Sequence, residues 1–199
     1  MRLAWIAVAL LATGCLYRSA PDPRFFRPQS AALDGAAAAP ATQSAQAAVP
    51  LRLRPVTATP LLRERIVWRA SPVEYGLYEQ WRWSELPEHY VERALESALL
   101  ATQGVELTEQ PGAAALSVEV VAFDEVLAPA RVAAVSLAVD LVDRGRRRIL
   151  ERSFGAQAPI ADETPGATAA AMGKALDEAV AAVAAAVEES LQASGGQSR

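Results

Sequence analysis

The 199-residue chain contains a single cysteine, Cys15, and a single histidine, His89. One cysteine cannot form a disulfide within its own chain, so no internal disulfide framework is available to this protein. His89 has no cysteine or second histidine near it, which makes it a poor metal ligand. The sequence also lacks a glycine-rich phosphate loop and gives none of its serines an identifiable base partner. We therefore predict that the protein is not an enzyme and has no catalytic residue, no metal and no cofactor.

Excess positive charge and long apolar runs are absent as well. The formal net charge is −4, and without Arg2 the chain has 18 basic and 23 acidic side chains. This balance gives no general attraction to nucleic acid or anionic lipid, so we expect no nucleic-acid partner. After the first 15 residues, no stretch approaches the roughly 20 apolar residues of a transmembrane helix. About 185 residues would remain after cleavage, enough for one soluble domain with a core plus a tail.

The first residues, MRLAWIAVALLATGC, have the layout of an export signal. Arg2 supplies the positive charge, and Leu3–Ala12 form an apolar run of the length of a secretory h-region. The segment resembles a bacterial lipoprotein signal, which implies cleavage between Gly14 and Cys15 and lipidation of that cysteine. An ordinary secretory signal that happens to contain a cysteine is the alternative. Leu16 follows the cysteine instead of aspartate, which by resemblance favours the outer membrane.

Residues 15–50 read as an alanine- and proline-rich disordered tether. Half of the positions from Ala31 to Pro50 are alanine, and little apolar area is available to offset the entropy of ordering. An alanine-rich helix is the competing interpretation, but Gly35 and Pro40 interrupt it. RFFRP at Arg24–Pro28 is a local exception, either a contact with the membrane or the domain, or a chance apolar pair. The predicted organisation is a signal peptide at 1–14, this tether at 15–50, a domain at 51–193 and a disordered tail at 194–199.

Hydrophobic periodicity predicts strands and two helices in the folded part. Alternating patterns predict strands at 51–56, 63–70, 73–79, 114–123, 130–143 and 147–156. Three-to-four spacing predicts a helix from Pro87 towards Gly104 and a second helix, capped by Thr164, that extends to Leu191. Asp143 and Gly145 indicate a tight reversal that pairs the last two strands antiparallel. We predict an α/β fold, a two-layer sandwich in which two main helices pack on a mixed β-sheet, with the strand order left open.

Two local features offer an interaction surface. Five aromatic residues fall within 16 positions, and they either pack the core or present apolar area with polar tips to a partner: Trp68, Tyr75, Tyr78, Trp81 and Trp83. The sequence DRGRRR places Arg144, Arg146 and Arg147 at a hairpin tip. Those arginines are either solvated or in contact with an acidic partner or lipid head group.

The segment RIVWRASPVEYGLYEQWRWSELPEHYVERALESALL resembles the centre of the ABC-type transport auxiliary lipoprotein family, the PqiC-like group. The matching features are strands at 66–69 and 73–75, an Arg82–Glu85 segment, a helix ending in Leu99-Leu100, and a strand ending in Phe123-Asp124. The likeness covers roughly residues 50–190. The long tether and Leu86, where the family more often has proline, depart from the usual pattern.

The resemblance implies a non-catalytic, periplasm-facing lipoprotein anchored in the outer membrane. It would work with an inner-membrane transporter and dock the MCE-domain protein that bridges the periplasm in lipid transport, as a homo-oligomer. An envelope-assembly or membrane-integrity lipoprotein without lipid transfer is the alternative, and a hydrolase with an unrecognised site is a third. The sequence does not name the lipid or the number of subunits.

Overall fold

The computed structural model describes residues 22–35 and 48–196. The predicted signal peptide, Cys15 and residues 36–47 and 197–199 lie outside these residues. The strands are β1 Arg24–Phe26, β2 Val49–Leu53, β3 Thr57–Ala58, β4 Arg65–Ser71, β5 Glu74–Trp83, β6 Val105–Leu107, β7 Ala114–Val126, β8 Val132–Val142 and β9 Arg148–Pro159. The helices are α1 Pro87–Leu100 and α2 Pro165–Gly196.

Three long strands form an antiparallel meander at one side of the sheet. β7 pairs with β8 along nearly its whole length, and β8 pairs with β9 from Val132↔Pro159 to Val142↔Arg148. The hydrophobic alternation of β8 sets this register, since its odd-numbered positions from Ala133 to Leu141 are buried. The predicted antiparallel pairing of β8 and β9 is confirmed.

The other edge of β7 is shared among three parallel strands in succession. β2 pairs near Ala115, β3 near Val120, and β4 near Glu125. β6 lies beyond β2, while β5 and then β1 lie beyond β4. β4 and β5 form an antiparallel hairpin, so the sheet has both parallel and antiparallel pairs. The predicted mixed sheet is confirmed.

α2 covers the meander on one face of the sheet. Its predicted apolar stripe is buried at every position: Met172, Leu176, Val180, Val183, Val187 and Leu191. Buried alanines such as Ala175 and Ala179 widen the stripe and allow close approach to β8 and β9. The backbone N–H of Ala167 donates to Thr164 Oγ1 at 3.2 Å, which confirms the predicted cap. α2 continues through Gly196, three residues into the predicted tail.

α1 packs beside α2 on the same face. Pro87 occupies the first turn, where the missing N–H costs no hydrogen bond. Leu86 provides no side-chain cap. Instead the carboxylate of Glu85 pairs with both Arg93 Nη atoms, and these bonds lower the pKa of Glu85. The opposite face of the sheet carries neither helix, and there Ser136 and Asp140 of β8 lie partly exposed.

Residues 22–35, the N-terminal strap, pack against the domain, whereas the sequence predicts a disordered tether over 15–50. β1 adds to the edge of β5 in parallel, with Phe26 opposite Trp83. Ser30 is buried and its hydroxyl donates to Asp177 Oδ1 of α2 at 2.6 Å. The ordering comes from hydrogen bonds to distant residues, which local composition does not reveal. For the residues outside the described part of the chain, the tether stays a prediction.

Candidate functional site

The aromatic cluster is divided among three environments. Trp83 is 1% exposed and packs edge-on against Phe123, with ring centroids 5.4 Å apart, and against Tyr90 at 6.5 Å. These three rings join β5, β7 and α1 in the core, and burial raises the pKa of Tyr90. Trp83 therefore presents no surface to a partner in this structure.

The remaining aromatic residues keep exposed parts. Tyr78 and Trp81 are stacked, with centroids 4.1 Å apart, and are half-buried on the helix side of β5. Trp68 lies over Gly76 so closely that a Cβ there would meet its ring at 2.0 Å, which requires glycine at this position. Tyr75 is 46% exposed and carries the Arg69 guanidinium 5.8 Å from its ring centroid.

The predicted arginine tip closes the β8–β9 hairpin. The backbone N–H of Arg146 donates to the Asp143 carbonyl, and the Arg147 N–H donates to Asp143 Oδ1, both at 2.9 Å. The hydrogen bond from Arg147 lowers the pKa of Asp143. Arg144, Arg146 and Arg147 are all exposed. Arg146, not Gly145, adopts the left-handed conformation, with φ of 63°.

A buried polar cluster, which the sequence analysis missed, lies at the far end of β7. Glu125 is completely buried and accepts hydrogen bonds from Arg131, from Tyr78 at 3.1 Å and from Thr168 at 3.2 Å. Arg131 Nη1 also pairs with Glu163 at 3.1 Å. Burial, followed by the charge of Glu125, raises the pKa of Tyr78. Because the donors and acceptors of this cluster bond to one another, we interpret it as a structural junction between β5, β7 and α2.

A second acidic residue of β7 points to the opposite, helix-free face of the sheet. The side chain of Asp124 is 3% exposed, and its Oδ2 lies 2.8 Å from Nε of Arg69, whose side chain is 26% exposed. The contact is not aligned as a hydrogen bond, and neither carboxylate oxygen of Asp124 has a hydrogen-bond partner among the described residues. Burial raises the pKa of Asp124, and Arg69 opposes that shift.

Asp124 and Arg69 line a groove of about 560 Å³, referred to below as the Asp124 groove, to which α2 contributes Glu178. Polar side chains from β8 and β9, Ser136 and Gln157, lie along it. Asp124 enters the family resemblance only as the acidic residue after Phe123, but its place inside the apolar run VEVVAFDEV is a sequence signal that could have identified it.

The described residues contain no obvious catalytic or metal centre. His89 is exposed in the first turn of α1. Within 22–35 and 48–196, no three His, Cys, Asp or Glu side chains are grouped so that they could hold a metal ion. Neither helix in that part of the chain has the length and apolarity that a bilayer crossing requires. Cys15, the predicted lipidation site, lies outside the described residues.

Two solved structures share this fold at low sequence identity. Protein XCC0632 from Xanthomonas campestris, a member of the DUF330 family, is 18% identical, with a TM-score of 0.71 over 87% of this chain and 99% of its own. The hypothetical protein CT253 from Chlamydia trachomatis is 10% identical, with a TM-score of 0.55 over 74% of this chain and 99% of its own. At these identities the similarity establishes the fold alone. No functionally curated protein matches the chain.

The sequence profile of one family covers most of the described domain. It matches residues 32–184, from the strap to the middle of α2, and the family is described as the ABC-type transport auxiliary lipoprotein component. The match includes both helices in whole or part and all of the strands from β2 to β9, in agreement with the resemblance found in the sequence. The chain therefore belongs to the family of ABC-type transport auxiliary lipoprotein components.

Proposed function

We propose that this chain is a non-catalytic lipoprotein on the periplasmic face of the outer membrane that docks the MCE component of an intermembrane lipid-transport system. The observation that carries the proposal is family membership over residues 32–184 together with a lipoprotein-type signal that ends at Cys15. An MCE-domain protein that spans the periplasm and an inner-membrane transporter are the partners. No bond-breaking step is part of the role.

The strap supports a short connection between the lipid and the domain. Six residues separate Cys15 from Asp22, the first described residue, and the seven Cα–Cα steps between the two reach at most about 25 Å. A free tether of 35 residues would reach on the order of 115 Å. Because the strap is bonded to β5 and α2, a lipid on Cys15 would hold the domain against the membrane with the β1 side nearest to it.

The strand register separates this side from the arginine tip. β1 joins β5 opposite Trp81, and through β4 this level corresponds to the region of β7 near Asp124. The tip adjoins the opposite end of β7, where Ala115 faces Val142. The nine residue-to-residue steps from Ala115 to Asp124 span about 30 Å at the rise of a strand. We assign docking of the MCE component to the exposed arginine tip, because it is directed away from the anchored side.

Affinity capture tests the docking role. Full-length chain carrying a C-terminal tag, extracted from envelopes in mild detergent, is expected to retain an MCE-domain protein and its transporter, identified by mass spectrometry. A variant with Arg144, Arg146 and Arg147 changed to Ser should lose most of this partner, whereas Arg63→Ser, at an exposed arginine outside the tip, should not. Repeated absence of an MCE-domain protein would contradict the proposal and favour an envelope-stabilising lipoprotein.

Membrane attachment has its own test. Cys15→Ser is expected to leave the domain folded but absent from the outer-membrane fraction in a density gradient, since each acyl chain contributes about 0.8 kcal/mol per buried CH₂. Intact-mass analysis of the wild-type mature terminus should show the acyl groups. Retention of the variant in the outer-membrane fraction would rule out anchoring by lipid at this cysteine.

We further propose that several copies assemble. The support is β9, a 12-residue edge strand that, among the described residues, hydrogen bonds to β8 on one side only. Long edges of this kind readily accept another strand. Mass photometry of the detergent-extracted protein should give a discrete multiple of the monomer mass; a monomer at all concentrations would contradict assembly.

A further inference from the structure

The Asp124 groove contains an unsatisfied buried acceptor. A carboxylate that is 3% exposed normally obtains its hydrogen bonds from the protein, because a buried acceptor without a donor loses the solvation it had in water and gains nothing in return. Asp124 has only the unaligned contact with Arg69, and no described donor reaches Oδ1. In contrast, Glu125, the next residue, is fully bonded. The groove therefore lacks a hydrogen-bond donor at Asp124.

The groove also offers a positive group beside this acceptor. Arg69 forms no other ion pair among the described residues, and part of its side chain faces solvent. A guanidinium has five N–H donors, so donors remain for an anion after the contact with Asp124. Glu178 is the remaining charged residue of the groove lining. A ligand that carries a cation and an anion close together would match Asp124 and Arg69 at the same time.

The rim of the groove is apolar. Leu61, Tyr75 and Val121 are each between 43% and 46% exposed, and all three line it. Exposed apolar side chains of this size that gather around a polar pair are typical of a site for an amphiphile. The volume of about 560 Å³ lies in the range of small-ligand sites and is enough for a head group with the first part of an acyl chain.

We propose that the Asp124 groove binds the phosphoethanolamine group of an amphiphile, with the ammonium donating to Asp124 and Ser136 and the phosphate accepting from Arg69. The apolar rim takes the start of an acyl chain. A primary ammonium supplies N–H donors that a choline head group lacks, so the site selects ethanolamine over choline lipids. This inference deepens the proposed function, on which its place in lipid transport rests. Phosphatidylethanolamine in the membrane and free phosphoethanolamine are the two sources of the chemistry.

Native mass spectrometry of the full chain, released from detergent micelles, tests the proposal by counting bound lipids during titration. Dihexanoyl-phosphatidylethanolamine should bind at least ten times more tightly than the matching phosphatidylcholine. Asp124→Asn should reduce ethanolamine-lipid binding at least tenfold, and Glu119→Gln, an exposed carboxylate elsewhere on the strand, should leave it unchanged. Free phosphoethanolamine should compete, though less well than the lipid if the apolar rim contributes.

Several results would overturn the inference. Equal binding of the choline and ethanolamine lipids would show that no N–H donor is recognised, and unchanged binding by Asp124→Asn would exclude that carboxylate. Competition by free phosphoethanolamine as strong as by the lipid would remove the role of the rim. Loss of MCE-protein capture in Asp124→Asn without any lipid binding by the wild type would assign the groove to a protein segment. Intact MCE-protein capture with no lipid binding would reject this inference alone and leave the docking role standing.

Discussion

Gly173 in α2 gives the sharpest test of the strap. An added Cβ at this position would lie 1.8 Å from the carbonyl oxygen of Gln29, with the carbon and nitrogen of the same residue at 2.2 and 2.8 Å. All three atoms belong to the backbone, so no side-chain rotation relieves the contact. Moving the oxygen to an ordinary contact of 3.4 Å requires a shift of about 1.6 Å. Gly173→Ala must therefore displace the strap from α2.

The displacement breaks identifiable hydrogen bonds. Gln29 N–H donates to the Ala169 carbonyl at 3.1 Å, and Asp177 accepts from Ser30 Oγ and from the N–H groups of Ala31 and Ala32, at 2.6, 2.8 and 3.2 Å. A bond to a charged acceptor contributes about 1.5–3 kcal/mol when shielded and less where the group is exposed. We expect a local loss of about 3 kcal/mol, which corresponds to a roughly 100-fold change in an equilibrium constant.

The helix itself should respond in the opposite sense. Replacing a helical glycine by alanine stabilises the helix by about 0.8–1.0 kcal/mol. In hydrogen exchange followed by mass spectrometry, Gly173→Ala should reduce protection of residues 22–35 about 100-fold while protection of α2 is kept or increased. Gly195→Ala, where a Cβ meets no atom within 4 Å, is the matched control and should not affect the strap. Unchanged protection of residues 22–35 in Gly173→Ala would refute the close approach of strap and helix.

The remaining predictions concern single side chains. Arg146→Gly should raise the free energy of unfolding by about 0.5–1 kcal/mol in urea titrations because Arg146 has a positive φ, whereas Arg144→Gly should not. Glu125→Ala should lower the free energy of unfolding by about 3 kcal/mol, because it leaves the Arg131 guanidinium and the hydroxyls of Tyr78 and Thr168 without their buried acceptor. A loss under about 1 kcal/mol would contradict the junction role. Burial raises the pKa of Asp124 in the folded protein. Ionisation of this carboxyl therefore lowers the free energy of unfolding as the pH rises above its unfolded-state pKa of about 3.9. Asp124→Asn should therefore unfold at higher urea than the wild type at pH 7, with the difference vanishing near pH 3; a less stable variant at pH 7 would show that the Arg69 pair outweighs burial.

Periodic segments were predictable because their pattern is local. The α2 stripe from Met172 to Leu191 and the alternation along β8 both follow from the face that each element buries, and both are confirmed. The short strands β1 and β6 have three residues each, and their pairing is set by distant backbone, so no local pattern indicates them. The order of the parallel strands along β7 is likewise a long-range property.

A single irregularity explains why the Asp124 groove was not predictable. The register of β7 against β8 shifts between Val120 and Ala122. Without the shift, the alternation of Val118 and Val120 would direct Asp124 towards the helices. The shift instead places Phe123 in the core and Asp124 on the open face. A one-residue change in register moves every later side chain to the other face, and the sequence does not mark where it occurs.

The strap and the groove become connected through the same strand register. β1 joins β5 at Arg82, which pairs with Arg65 of β4, two residues before the β4 residue that pairs with Asp124. The arginine tip adjoins the other end of β7. A lipid on Cys15 would thus hold the groove near the membrane and direct the tip towards the periplasm. Asp124 is a buried carboxylate that destabilises the fold, and such a residue is expected at a binding site. Functional sites tolerate a stability cost that purely structural core positions do not. Under the proposed anchoring, the Asp124 side chain would lie where membrane phospholipid is available, and the exposed arginines would lie where a bridging protein arrives.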